Sequence, residues 1–306
     1  MSTKFQRYYV LTVQGNDGNL IEIKNPFTVE FSIVRHILAS SNTGSFRVYN
    51  LNQRTRGNIY RDKFNFNDIR TLTFKAGYGN ADPLPTVFNG NIKQAYSNRG
   101  SGSVNFITEI QGYDMGWSMV KSFSNFTLSP SEDAPVTKQK VVDLLIADMI
   151  VNTPVKALKM GIVGNFAGVY PRGRTVFGPT WDILQTETGK SCFIDNGKVN
   201  AIKNTEAIEG DIQVIDSSSG LLSTPKRTET YLTVDILFEP GLVIGQRILL
   251  DSRSSPQFNG YYKIIGIEHS GIISDAVGGR CVTTVTLDLG NQIFNLLSNN
   301  TQGTTP

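Results

Sequence analysis

The sequence predicts a mainly β chain in which a small α/β unit separates two β-barrel units. Three observations lead there. The composition leans toward Gly, Asn, Ser, Thr, Phe and Tyr, and long Ala/Glu/Lys runs of helical period are missing. Short stretches of alternating apolar and polar residues recur along both ends of the chain, broken by turn-forming residues. Between them, residues 129–210 change to helical spacing.

A chain of 306 residues exceeds what one core usually supports, so two or three compact units are expected. With 39% hydrophobic and 18% charged residues, it has enough apolar surface to fold and too little charge to read as disordered. The net charge of +3 is unevenly spread, with balances of +6 over residues 1–128, 0 over 129–210 and −3 over 211–306. That polarity suits contacts between subunits and is too mild for strong nucleic-acid binding. Cys192 and Cys281, 89 positions apart, form no metal-ligand or disulfide pattern and fit folding in a reducing cytoplasm. No signal peptide or membrane-spanning run is expected.

In the first unit, residues 1–128, strands are predicted at 8–14, 20–23, 28–35, 44–50, 71–78, 87–96 and 104–113, from β-branched or aromatic residues at alternate positions. Gly- and Asn-rich turns separate them. Residues 52–61 are the helical candidate here. The polar run SPSEDAP at 129–135 marks a boundary near Leu128. In the second unit, 129–210, Thr137 caps a predicted helix at 138–151, whose Val141, Val142, Leu145, Ile146 and Met149 share one face. A second helix is expected at 179–188, opened by Pro179 and stopped by Gly189. Asn196-Gly197 then signals a hairpin between strands at 192–195 and 199–203. In the third unit, 211–297, strands are expected at 210–216, 229–238, 247–251, 260–270 and 280–289, and 298–306 is expected to be a loose tail.

Catalytic chemistry has few carriers in this sequence. A nucleophilic triad needs an imidazole base, and His36 and His269 both lie in strand-like runs that favour a packed histidine. GxSxG, GxxxxGK[ST] and GxGxxG motifs do not occur. Paired carboxylates could serve a glycosidase, and Glu206 with Glu209, or Glu132 with Asp133, are the tight acidic clusters. Both lie at predicted boundaries, where solvated carboxylates are the ordinary case. Trp117 and Trp181 read as core anchors rather than sugar platforms. Exposed Tyr78, Tyr96 and Trp117 would suit binding to a host surface. No catalytic, cofactor-binding or metal residue is assigned.

Residues 219–290 carry a resemblance. A strand ends in a Leu-Phe-x-Pro-x-Leu turn at Leu237, Phe238, Pro240 and Leu242 and passes through Gly245. A Gly-x-Tyr-x-Ile strand follows at Gly260, Tyr262 and Ile264, then a His-Ser-Gly turn at His269, Ser270 and Gly271. The segment resembles the C-terminal region of baseplate hub proteins of contractile-tailed phages. The middle unit is similar to theirs at Trp181, Leu184, Gly189 and Asn196-Gly197. The resemblance covers about residues 137–290, with residues 1–128 matching by strand pattern alone.

The resemblance implies two tail-tube-like barrels flanking an α/β unit. It also implies a homotrimeric ring in the virion tail baseplate, made in the host cytoplasm, joining a sixfold tail tube to a threefold spike, with an axial channel for DNA. Tail tube, spike and other baseplate proteins are the implied partners, and no cofactor is implied. Channel-facing residues should be polar or acidic, which would turn the basic cluster Arg54, Arg56, Arg61 and Lys63 away from the bore. The rival structural reading is a tube initiator or other baseplate component; the enzymatic rival is a peptidoglycan-degrading tail protein.

Overall fold

The computed structural model describes residues 6–38, 41–63, 65, 68–79, 83–114, 116–131, 135–151, 158–210, 214–290 and 293–297. Alternating sequence in the first third folds as β1 (Arg7–Gln14), β2 (Leu20–Lys24), β3 (Val29–His36) and β4 (Thr43–Tyr49). Helix α1 (Gln53–Ile59) precedes β5 (Thr71–Tyr78), β6 (Thr86–Asn98) and β7 (Ile107–Tyr113). The middle third holds α2 (Gly116–Lys121), β8 (Phe123–Leu128), β9 (Val136–Thr137), α3 (Lys138–Val151), β10 (Lys159–Val163) and β11 (Val169–Tyr170). It continues with β12 (Arg174–Pro179), α4 (Thr180–Thr188), β13 (Cys192–Asp195), β14 (Lys198–Ala201) and β15 (Glu206–Ile208). The last third adds β16 (Val214–Asp216), β17 (Lys226–Arg227), β18 (Tyr231–Leu237), β19 (Arg247–Asp251), β20 (Gly260–Ile273), β21 (Cys281–Asp288) and β22 (Asn295–Leu297).

The helix ends follow local chemistry. Asn52 Oδ1 accepts the Thr55 N–H at 2.8 Å and so caps α1. Thr137 Oγ1 accepts the Lys140 N–H at 3.2 Å at the start of α3. Gly189, with φ of 63°, ends α4 in the left-handed conformation that glycine adopts without steric penalty. The five α3 residues expected on one face, Val141, Val142, Leu145, Ile146 and Met149, are all buried.

Most strands join one 13-stranded sheet whose main path runs β17-β18-β21-β20-β3-β4-β7-β6-β5-β1-β2, with β19 and β16 branching from β20. Two separate barrels were expected. No closed barrel forms among the described residues, where the path ends at β17 and at β2 and both outer thirds share one sheet. The physical reason is the length of β20. Its residues from Gly260 to Lys263 pair with β19, and those from Gly266 to Ile273 pair antiparallel with β3, while β21 occupies its other edge. Gly266 sits at the handover, where an added Cβ would come within 2.8 Å of the His36 ring.

Three apolar clusters fill the interior. The first lies among β1 to β7 and also takes Phe238, Ile273 and Cys281 from the last third. The second packs α3 and α4 against the middle strands, with Trp181 and Leu184 inside it and Phe126 and Leu128 of β8 against it. The third lies among the C-terminal strands and includes Phe193. Strand β13 serves two of them: Cys192 and Ile194 enter the second cluster and Phe193, on the opposite face, the third.

Phe238 is the aromatic tie across the outer thirds, with its ring 5.7 Å from Phe31 and 5.6 Å from His269. Phe238→Ala is expected to cost about 3–5 kcal/mol and to lower the urea midpoint of strands in both outer thirds together. Hydrogen exchange read strand by strand checks this; loss of protection confined to the last third would contradict a shared core.

Candidate functional site

A buried polar joint connects the middle unit to the large sheet. It starts from Arg35, which is in phase with Phe31 and Ile33 on the inward face of β3 and only 2% exposed. A guanidinium cannot be buried there without a counter-charge. Asp195, the last residue of β13, supplies it: Arg35 Nε donates to Oδ1 at 2.8 Å and Nη2 to Oδ2 at 2.6 Å. This two-point geometry fixes both direction and distance.

The Asn196-Gly197 turn that follows is held by Asp114, 1% exposed, just beyond β7. Its carboxylate accepts the Asn196 N–H at 2.6 Å and the Gly197 N–H at 2.9 Å. Asn42, before β4, donates to the Ile194 carbonyl at 3.0 Å and to Asp114 Oδ2 at 3.3 Å, while its own Oδ1 accepts the His36 N–H at 2.9 Å. Asn196 Oδ1 in turn accepts the Asn89 N–H at 3.0 Å. The hairpin signal in the sequence is thus the plug of this joint. Beside it lies a cleft of about 590 Å³ where all three thirds meet, lined by Arg35, Asn89, Asp195, Lys198 and the Pro240–Val243 turn.

The electrostatics follow from burial. Desolvation, then the neighbouring Asp195 charge, pushes the Asp114 carboxyl up to about 7, against the pull of the Gly197 and Asn196 N–H groups and Asn42. His269 is fully buried; desolvation first and the Arg35 charge second hold it well below the ordinary histidine value. Its Nδ1 lies 2.8 Å from Thr283 Oγ1, which also accepts the Glu239 N–H at 2.9 Å. The hydroxyl proton is therefore free to point at Nδ1 of a neutral ring.

The other sequence candidates disperse. His36 is lowered by burial and accepts the Leu38 N–H on Nδ1 at 3.1 Å, far in role from any nucleophile. Glu206 is buried and spends its carboxylate on the N–H groups of Asn165 and Lys203, at 3.3 and 3.1 Å, whereas Glu209 is exposed just beyond β15. β15 is buried at every position, and Glu209 lies past its end. Glu132 and Asp133 lie outside the described residues, as does the Trp117 side chain and the tail 298–306. Trp181 is a core anchor. Tyr78 is half-buried and donates to the Phe238 carbonyl at 2.9 Å, and Tyr96 donates to Glu109 at 2.7 Å, so neither is a free platform. Within the basic cluster, Arg61 is buried and bonds the carbonyls of Lys63, Asn65 and Asp68 as a loop organiser. Sequence reasoning missed Arg35, Asn42, Asp114 and Asp195. For Arg35 the signal was present in its phase with Phe31 and Ile33; for the others no local pattern marks them.

Solved tail proteins share this fold. The tail protein of Neisseria meningitidis MC58 superposes with a TM-score of 0.55 at 11% identity, covering 93% of this chain and 98% of that one. The 43 kDa tail protein of prophage MuSo2 from Shewanella oneidensis gives 0.54 at 8% identity, covering 91% and 97%. The E. coli c3393 protein, described as a type VI secretion component structurally similar to the T4 tail proteins gp27 and gp5, gives 0.53 at 8% identity, covering 92% and 78%. At these identities the likeness is one of fold. No curated protein matches the chain. The family model "Baseplate hub gp41" matches residues 9–274, and the chain belongs to that family.

Two measurements test the joint. Asp195→Ala leaves Arg35 buried without its counter-charge and is expected to cost about 3–5 kcal/mol in denaturant unfolding. Asp114 binds its proton more tightly folded than unfolded, where the value is 3.8. Its stabilising contribution is therefore full below about pH 4 and lost as pH rises to about 7. Asp114→Asn should flatten the stability-versus-pH curve over that window; a variant curve parallel to the wild type would contradict the assignment.

Proposed function

We propose that this chain is the ring-forming hub subunit of a phage tail baseplate, and that one face of the large sheet lines its axial channel. The observation that carries the reading is the chemistry of that face. Cross-strand rows run unbroken from the last third to the first: Val282, Ser270, Ser32, Ser45, Gln111 and Gln94 in one, and Ile272, Glu30, Arg47, Glu109 and Tyr96 in the next. A further row holds Asp235, Thr284, Glu268, Val34 and Thr43.

Among the charged side chains of these rows carboxylates prevail, Glu30, Glu109, Asp235 and Glu268 against Arg47, while on the flank Asp288 lies opposite Tyr231 and Lys226 opposite Thr233. Arg47 lies within 3.7 Å of Glu30 and 3.6 Å of Glu109, so its charge is neutralised in place. Lys93 rests over the Tyr113 ring. Such a wall repels a passing polyanion and offers hydroxyl and amide groups that do not hold phosphate through counterion release. The cluster of Arg54, Arg56, Arg61 and Lys63 lies outside these rows, in α1 and the segment after it.

In this reading three copies form a ring that joins a sixfold contractile-tail tube to a threefold spike. Its assembly draws on subunits made in the host cytoplasm, and DNA crosses the ring during ejection. The role is structural rather than catalytic. Electron microscopy of the purified chain is expected to show threefold rings with an axial channel; a monodisperse monomer at micromolar concentration would overturn the reading. Tails carrying Glu268→Lys with Asp235→Lys should eject DNA more slowly than wild type at low salt, with the deficit relieved as salt rises.

A further inference from the structure

The sheet has chemically different ends. At one end of β4 and β7, Thr43 and Tyr113 adjoin Asn42 and Asp114, which grip the middle unit. At the other, about 20 Å away by strand rise, Tyr49 and Ile107 lead into α1 and the 99–106 loop. Arg54, Arg56 and Arg99 gather on these two segments. None of the three makes an ion pair among the described residues.

The 99–106 loop is tied down, and two of the arginines with it. The Arg56 guanidinium lies 3.7 Å from the Phe106 ring centroid and that of Arg99 5.7 Å from it. Arg99 Nε donates to the Ser103 carbonyl at 2.6 Å. Asn50 ties the loop to β4, donating its N–H to the Phe106 carbonyl at 2.8 Å and accepting the Phe106 N–H on its side chain at 3.1 Å. Beside the arginines stand Tyr60, 54% exposed, and Val104, 80% exposed. Arginine and tyrosine are side chains enriched in protein–protein hot spots. Arg56 and Arg99, already placed by Phe106 and Ser103, have less side-chain entropy to lose on docking.

We infer that this rim, built by α1 and the 99–106 loop, docks onto an acidic protein surface of an adjoining ring. The inference rests on the hub reading, because only in a stacked assembly does the end of the sheet remote from the middle unit meet another ring. A protein partner is favoured over DNA. The basic groups sit at a strand end, off the acidic face, and stand beside the exposed Val104, which a phosphate backbone does not use.

The test is complementation of a virus lacking this gene with the full-length chain carrying Arg54→Glu and Arg99→Glu, beside an Arg54→Lys, Arg99→Lys control. Arg56 is left intact, because it packs on Phe106. Oligomer mass of the purified chain and electron microscopy of the particles are read together. The Glu variant is expected to keep the wild-type oligomer while the fraction of hubs carrying a tube falls at least tenfold, with the Lys control near wild type. Glu-variant hubs that carry tubes at the wild-type frequency would overturn the rim, and normal tails with slowed ejection would overturn it in favour of DNA. A wild-type chain that forms no ring would instead remove the hub reading beneath it.

Discussion

The seam between β3 and β20 is the constraint on which the rest of the molecule depends. Eight residue pairs, from Gly266 with His36 to Ile273 with Val29, join strands more than two hundred positions apart. Closing so long a loop is less costly than its length suggests, because closure entropy grows only with the logarithm of chain length. The middle third also folds on its own apolar cluster. Once the seam forms, parity decides what is inside. Arg35 and His269 fall on the inward face as diagonal cross-strand neighbours, since Arg35 is opposite Ile267 and His269 opposite Ile33. One can be buried only when paired and the other only when neutral, and the structure meets both conditions.

That requirement positions the middle unit. Packing alone tolerates small slides between apolar surfaces, but a buried guanidinium held at two points by a carboxylate does not. Moving β13 by one residue would replace Asp195 with Ile194 or Asn196 and leave Arg35 uncompensated. Asp114 acts on the same hairpin from another strand, so the turn is fixed from two elements of the sheet. Buried charge adds little net stability here; its effect is to make one arrangement of the units far better than its neighbours.

Local sequence carried the elements well. Strands expected at 71–78 and 247–251, and the helix at 138–151, coincide with β5, β19 and α3, because alternation and helical spacing are local consequences of burying one face. The pairing of β3 with β20 was not legible. Alternation states which residues face inward and is silent about which strand lies alongside, so two barrels and one shared sheet have the same pattern. The same blindness hid the joint: Asp114 and Asp195 are 81 positions apart and acquire a relation only through the fold. The ribbon of β8 with β12 was missed too, since Phe123 and Phe177 are exposed and β12 ends at a Pro beside a helix start.

The open ends of the sheet bear on how copies can meet. Free strand edges invite uncontrolled addition of further strands, yet the outermost elements here are short: β17 has two residues, and β2 has five, with the charged Glu22 and Lys24 exposed. Such edges cannot supply much of an interface by backbone pairing. They are also unlike each other, so contact between them would be head-to-tail, and a head-to-tail contact closes a ring only when its rotation divides a full turn. Closure must then be set by groups that fix angle as well as proximity, which rigid side-chain clusters do and bare strand edges do not.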